Sequence, residues 1–128
     1  VQLIDDTYNA NPASLRVALD LLSKADAETW LVLGDMGELG EEGERLHREV
    51  GEEARRAKVR RLFALGDLAA KAAEAFGPGA ETFADMEGLN TRLKELVRSG
   101  VHILVKGSRA MRMEHVVQAL SGAEGRGR

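Results

Sequence analysis

The sequence predicts an α/β fold: an open, mostly parallel sheet of about five or six strands with helices on both faces. Two observations carry that prediction. Five strand-like apolar runs alternate with five helix-patterned runs along 128 residues. Several strand runs, such as Leu31-Val32-Leu33 and Ile103-Leu104-Val105, are continuously apolar, as expected of parallel strands covered on both sides. Strand, helix and parallel strand joined in this way take right-handed crossovers, so all strands finish on one edge of the sheet.

The elements follow in order. The first strand is Val1–Asp5. A helix over about Pro12–Lys24 follows, with Asn11 as N-cap and Pro12 in the first turn, where its missing N–H is no loss. Its Leu15, Leu19 and Leu22 fall on one stripe. The second strand is Thr29–Gly34 and the second helix about Glu41–Lys58, with Leu46, Val50, Ala54 and Ala57 on one face. The third strand is Arg61–Gly66. Asp67 is the expected cap of the third helix, which stops before Gly77-Pro78-Gly79, a run that breaks helices. The fourth strand is Glu81–Ala84. Asp85 caps a helix that buries Leu89, Leu93, Leu96 and Val97 and ends at Ser99-Gly100. Strand Val101–Lys106 and a helix over about Ala110–Leu120 complete the fold. Residues 1–121 read as one domain and residues 122–128, rich in Gly and Arg, as a disordered tail.

Bulk properties narrow the class. Apolar content of 44% and charged content of 30% are those of a globular domain. No apolar run approaches the roughly 20 residues of a membrane span. A net charge of −3 argues against nucleic acid as main partner. With no cysteine there is no disulfide framework and no thiolate ligand or nucleophile. Position 1 is Val and opens directly into a strand, with no leader pattern, so the expectation is a domain cut from a longer cytoplasmic protein.

Polar residues gather where the strands end. Asp5-Asp6-Thr7-Tyr8-Asn9-Ala10-Asn11-Pro12 places two carboxylates, a phenol and two amides between a strand and a helix. Such carboxylates accept ribose hydroxyls or hold Mg²⁺ through water, the amides bind phosphate or peptide groups, and Tyr8 is able to stack on a base. The plainer reading is a helix cap and satisfied loop amides. Leu33-Gly34-Asp35-Met36-Gly37-Glu38-Leu39-Gly40 is acidic, which suits an amine or a metal better than bare phosphate; otherwise it is a flexible loop. Lys106-Gly107-Ser108-Arg109 puts two cations, a hydroxyl and free backbone amides at a helix start, a cradle for carboxylate or phosphate, or else a solvated turn. His47, about one turn into the second helix, either faces the crevice or sits half-buried on the surface. His102, His115, Met111 and Met113 read as structural. The basic run Arg55–Arg61 complements a helix that begins acidic, rather than forming a nucleic-acid patch. No Gly-x-x-x-x-Gly-Lys-Ser/Thr phosphate loop occurs, so any ATP chemistry needs a loop from another domain.

Taken in order, Asp5–Ser14, Leu33–Gly40 and Val105–Arg109, with Leu46-His47-Arg48-Glu49-Val50 and Met113-Glu114, resemble signatures of the Mur ligase family over nearly the whole chain. The likeness is closest to the member that joins D-alanyl-D-alanine to UDP-N-acetylmuramoyl-tripeptide. The resemblance implies a Rossmann-like C-terminal domain that receives the dipeptide and closes over a central ATPase domain. ATP and Mg²⁺, bound mainly by that central domain, activate the tripeptide carboxylate as an acyl phosphate, which the dipeptide amine attacks. The partners it implies are the dipeptide, the UDP-linked tripeptide, ATP and the enzyme's own N-terminal and central domains, in a monomer with neither nucleic acid nor membrane as partner. Carried onto this chain, Asp5, Asp6, Tyr8 and Asn9 would approach ATP. Asn11, Asp35, Lys106, Gly107, Ser108 and Arg109 would hold the dipeptide, with His47 as a further candidate. No metal ligand and no catalytic residue is expected in this domain alone. Gly37 stands where relatives often carry a larger apolar residue.

Two rivals fit parts of the pattern. A two-component receiver domain also has an acidic pair after its first strand, an Asp after its third, here Asp67, and a Lys after its fifth, here Lys106; phosphorylation of Asp67 would mark it. A non-catalytic nucleotide-binding module is the other.

Overall fold

The computed structural model describes residues 2–5, 12–24, 27–36, 40–107, 113, 115, 116, 118 and 120, with the backbone alone for residues 2–5 and 12. The elements are β1 (Gln2–Asp5), α1 (Pro12–Ser23), β2 (Glu28–Gly34), a 3-10 turn (Gly40–Glu42) running into α2 (Gly43–Arg56), β3 (Arg61–Leu65), α3 (Asp67–Phe76), β4 (Ala80–Phe83), α4 (Met86–Leu96) and β5 (Val101–Lys106). Of the last expected helix, His115, Val116, Gln118 and Leu120 are helical. Met113 lies in a turn; the remaining residues of that helix, like the tail, lie outside the described residues.

The five strands form one sheet in the order β1-β5-β2-β3-β4, and all four pairings are parallel. That order fixes the layers. The steps from β1 to β2, β3 and β4 all advance in one direction, so right-handed crossovers put α1, α2 and α3 on one face. The return from β4 to β5 puts α4 on the other. The two cores agree. Leu15, Leu19, Val50, Ala54, Ala72 and Phe76 pack on Leu31, Leu33, Leu62, Ala64 and Leu104. Leu89, Leu93, Met113, Val116 and Leu120 pack on Trp30, Val32, Phe63, Leu65, Ile103 and Val105. Alternate residues of each strand thus serve opposite faces, and both faces are apolar.

Two expectations change. The buried face of α2 is His47, Val50, Gly51 and Ala54, while Leu46 and Ala57 are half-buried. The rotation follows from the contact with α3: a Cβ at Gly51 would lie 2.1 Å from the Ala72 carbonyl oxygen, so the helices touch at their smallest residues. The helix ends at Arg56 because Lys58 turns away at φ +65°. Arg55 then donates from its guanidinium to the Phe76 carbonyl at 3.0 Å, closing the end of α3, while Arg56 pairs with Glu52 and Glu53. Arg55 and Arg56 are accordingly spent on a helix end and on ion pairs, and Arg61 lies over the Trp30 ring.

The receiver-domain alternative fails on topology. That fold orders its strands 2-1-3-4-5, with the first and third side by side. Here β5 and β2 intervene between β1 and β3, which separates Asp67 from the acidic pair by three strand spacings, about 14 Å.

Candidate functional site

The sheet order brings three strand ends together. β5 lies between β1 and β2, with Asp5 opposite Val105 and Leu33 opposite Lys106. The carboxyl ends carrying Asp5, Lys106-Gly107 and Gly34-Asp35 are therefore neighbours. The helix after β1 covers one face and the chain after β5 packs on the other. Adjacent strands whose connections leave to opposite faces open a crevice beyond their carboxyl ends, where ligands of such sheets sit. Of the expected site residues, Asp5 is placed by its backbone; Asp6, Tyr8, Asn9, Asn11, Ser108 and Arg109 lie outside the described residues.

Asp35 is held by its own carboxylate. Its Oδ1 accepts from the Ala69 N–H at 2.7 Å, in the first turn of α3. The residue expected to cap α3 was Asp67, but Asp67 is the first helical residue, and the cap position is Gly66 with no side-chain bond of its own. Asp35 supplies the acceptor from another loop. Gly66 permits this twice over: it adopts φ +113°, and a Cβ there would fall 2.4 Å from Asp35 Oδ1. Asp35 is half-buried, and its Oδ2 makes no hydrogen bond among the described residues. One oxygen is fixed and the other is available. Asp85, by contrast, caps α4 as its sequence predicts, accepting from Gly88 N–H at 2.7 Å.

Lys106 is not the cation of a solvated turn, the plainer of its two sequence readings. It is fully buried, and its Nζ donates to Ser14 Oγ at 2.7 Å, linking the end of β5 to the first turn of α1. Its charge sits beneath the sheet edge, in surroundings that screen it less than water does. Gly107 is buried, and a Cβ there would meet Met113 Cγ at 2.5 Å and Gly34 Cα at 3.2 Å, so β5 and β2 close up at this point. Ser14 was passed over in the sequence although it ends the first motif; a small hydroxyl one turn into a helix carries no mark of its partner 92 residues away.

His47 is neither in the crevice nor on the surface. It is fully buried. Its Nε2 accepts from the Met36 N–H at 3.0 Å, and its Nδ1 lies 2.6 Å from the Gly43 carbonyl oxygen. An amide N–H only donates, so Nε2 holds the lone pair and Nδ1 carries the proton. The ring thus ties the two ends of the β2–α2 loop together.

Among the described residues no three His, Asp or Glu side chains converge on a position for a metal ion. A separate concavity of about 810 Å³ lies between the ends of β3 and β4, lined by Gly66, Asp67, Phe83 and Asp85 among others. Neither Asp35, Ala69 nor Lys106 is among its lining residues.

Residues 1–109 match a family profile described as "Mur ligase, glutamate ligase domain". The chain belongs to the Mur ligase family. It is 45% identical over 120 residues to the UDP-N-acetylmuramoyl-tripeptide–D-alanyl-D-alanine ligase of Escherichia coli K12, covering 92% of this chain and 26% of that protein. It is 35% identical to the Bacillus subtilis ligase of the same name, covering 94% of this chain and 28% of that one. A crystal structure of MurF from Acinetobacter baumannii superposes with a TM-score of 0.81 at 31% identity, covering 92% of this chain and 27% of that one. The MurF ligase of Thermotoga maritima in complex with ADP gives 0.79 at 29%, covering 97% and 29%. This Mur ligase domain spans about a quarter of the length of these relatives.

Proposed function

We propose that this Mur ligase domain is the C-terminal, dipeptide-receiving part of a cytoplasmic, monomeric ATP-dependent ligase that forms a C–N bond between UDP-N-acetylmuramoyl-tripeptide and D-alanyl-D-alanine, a step of peptidoglycan-precursor synthesis. The observation that carries the reading is the 45% identity, over 92% of this chain, to an E. coli protein of that name. In this reading ATP and Mg²⁺ are bound mainly by a central domain, since the sequence here carries no phosphate loop. There ATP supplies the activation of the tripeptide carboxylate as an acyl phosphate.

This chain's part is to hold the nucleophile. In the reading, Asp35 accepts the dipeptide ammonium on its open Oδ2. Lys106 attracts the dipeptide carboxylate from beneath the edge, while Asn11, Gly107, Ser108 and Arg109 complete the contacts. Asp5, Asp6, Tyr8 and Asn9 reach the nucleotide side. Domain closure brings the amine to the activated carbonyl and keeps water from a labile group. The non-catalytic nucleotide-binding alternative has no observation in its favour.

The test is ligation by the full-length protein that contains this chain, read by mass spectrometry. It should form the UDP-linked pentapeptide, with one ADP released per product, when D-alanyl-D-alanine is supplied, and this chain alone should turn over no ATP. Product with a single amino acid in place of the dipeptide would overturn the reading, as would ATP turnover by this chain alone.

A further inference from the structure

His47 belongs to no part of the dipeptide contact described above, yet it is the one fully buried histidine and both its nitrogens are engaged. Burying an imidazole is costly unless each nitrogen finds a partner. Here the partners are backbone atoms at the two ends of one loop: the Met36 amide just past β2 and the Gly43 carbonyl that opens α2. Met36 directly follows Asp35, whose Oδ1 is fixed to the Ala69 amide of α3. The Asp35 side chain is therefore held from α3 by the Ala69 amide, and the peptide that follows it is held from α2 by His47. These two grips fix where Asp35 Oδ2 stands.

We infer that His47 is a positioning residue for ligation: its Nε2, by holding the Met36 amide, sets the open Asp35 oxygen at the place where the incoming ammonium is received. The inference rests on the dipeptide reading of Asp35. Apolar packing alone would be met by Leu at this position. The geometry instead requires a group that accepts at one end and donates at the other, as the Nδ1–H tautomer does. A Gln side chain offers the same pair, an amide oxygen for Met36 and an NH₂ for Gly43.

The experiment uses the full-length protein and three readings. Imidazole ¹⁵N spectra of the histidine-labelled wild type, assigned with His47→Gln, should show His47 as the Nδ1–H tautomer. His47→Leu should raise the KM for D-alanyl-D-alanine about 10- to 100-fold, the scale of a misplaced binding group, and leave the KM for ATP within about twofold. His47→Gln should recover most of the loss. An Nε2–H tautomer would overturn the inference even if His47→Leu failed to fold. So would an unchanged dipeptide KM, an equal rise for ATP and dipeptide, or failure of Gln to rescue. Absence of dipeptide ligation by the wild type would instead sink the ligase reading and the role of His47 with it, while the tautomer would still report whether the loop clamp exists.

Discussion

Asp35 carries two duties on two oxygens, and two substitutions should separate them. Asp35→Ala removes the acceptor of the Ala69 N–H, an N-cap contact worth typically about 1 kcal/mol. It also removes a negative charge from the start of α3, worth about 0.3–1 kcal/mol. The combined loss is about 1.3–2 kcal/mol, which lowers the melting temperature of a domain this size by about 4–10 °C. Asp35→Asn keeps a carbonyl oxygen for Ala69, and Asn caps as well as Asp. It should lose only the charge contribution, about 0.3–1 kcal/mol. For the ligand the ranking differs. Both substitutions remove the charged acceptor from the dipeptide ammonium, so both should raise the dipeptide KM by the equivalent of about 1.5–3 kcal/mol, or roughly 10- to 150-fold. The assays are thermal unfolding by circular dichroism and steady-state kinetics of the full-length protein. If Asp35→Ala melts with the wild type, the cap is wrong. If Asp35→Asn keeps the wild-type dipeptide KM, Asp35 does not hold the amine.

Three further outcomes are expected. Gly51→Ala should destabilise by about 1–3 kcal/mol, because its Cβ would lie 2.1 Å from the Ala72 carbonyl oxygen; an unchanged urea midpoint would refute the close α2–α3 contact. Glu28 is pushed up by burial, but hydrogen bonds from Trp30 Nε1–H and Arg98, with the charges of Arg98 and Arg60, hold its carboxyl below the ordinary 4.5. A folded value below the unfolded one stabilises above that pH and is lost as the pH falls beneath it, so wild type should exceed Glu28→Gln in stability at pH 7 and approach it near pH 3. A gap independent of pH would refute that balance. Asp5→Asn and Asp6→Asn should differ in their effect on the KM for ATP, with Asp6→Asn the larger at about 1–2 kcal/mol; equal, negligible effects would remove the acidic pair from the nucleotide.

Much of the fold was legible because buried parallel strands and capped helices leave local marks. Pro12 opened α1, Val101–Lys106 was delimited correctly, and Asp85 capped the helix that follows it. What escaped the sequence depended on contacts between distant residues. Asp67 looked like a cap because it precedes an apolar helix, but the acceptor came from Asp35, 34 residues from Ala69. Lys106 read as the strand-end cation of an anion cradle or of a solvated turn, and the strand's parity, which no local signal ties to Ser14, buries it against that hydroxyl. His47 was ambiguous because its helix position admits either face, and only the closeness of α3 to Gly51 rotates that face inward. The strand order, with β5 between β1 and β2, gathers the site, and no local signal records it.

The central claim is that this sheet edge receives the carboxylate end of the dipeptide. Lys106→Met tests it most directly, since the change keeps the buried volume and removes the charge. In the full-length protein, with thermal unfolding confirming a folded variant, the KM for D-alanyl-D-alanine should rise roughly 10- to 150-fold and the KM for ATP should stay within about twofold. A dipeptide KM equal to that of the wild type, or a rise shared equally by ATP, would contradict the account.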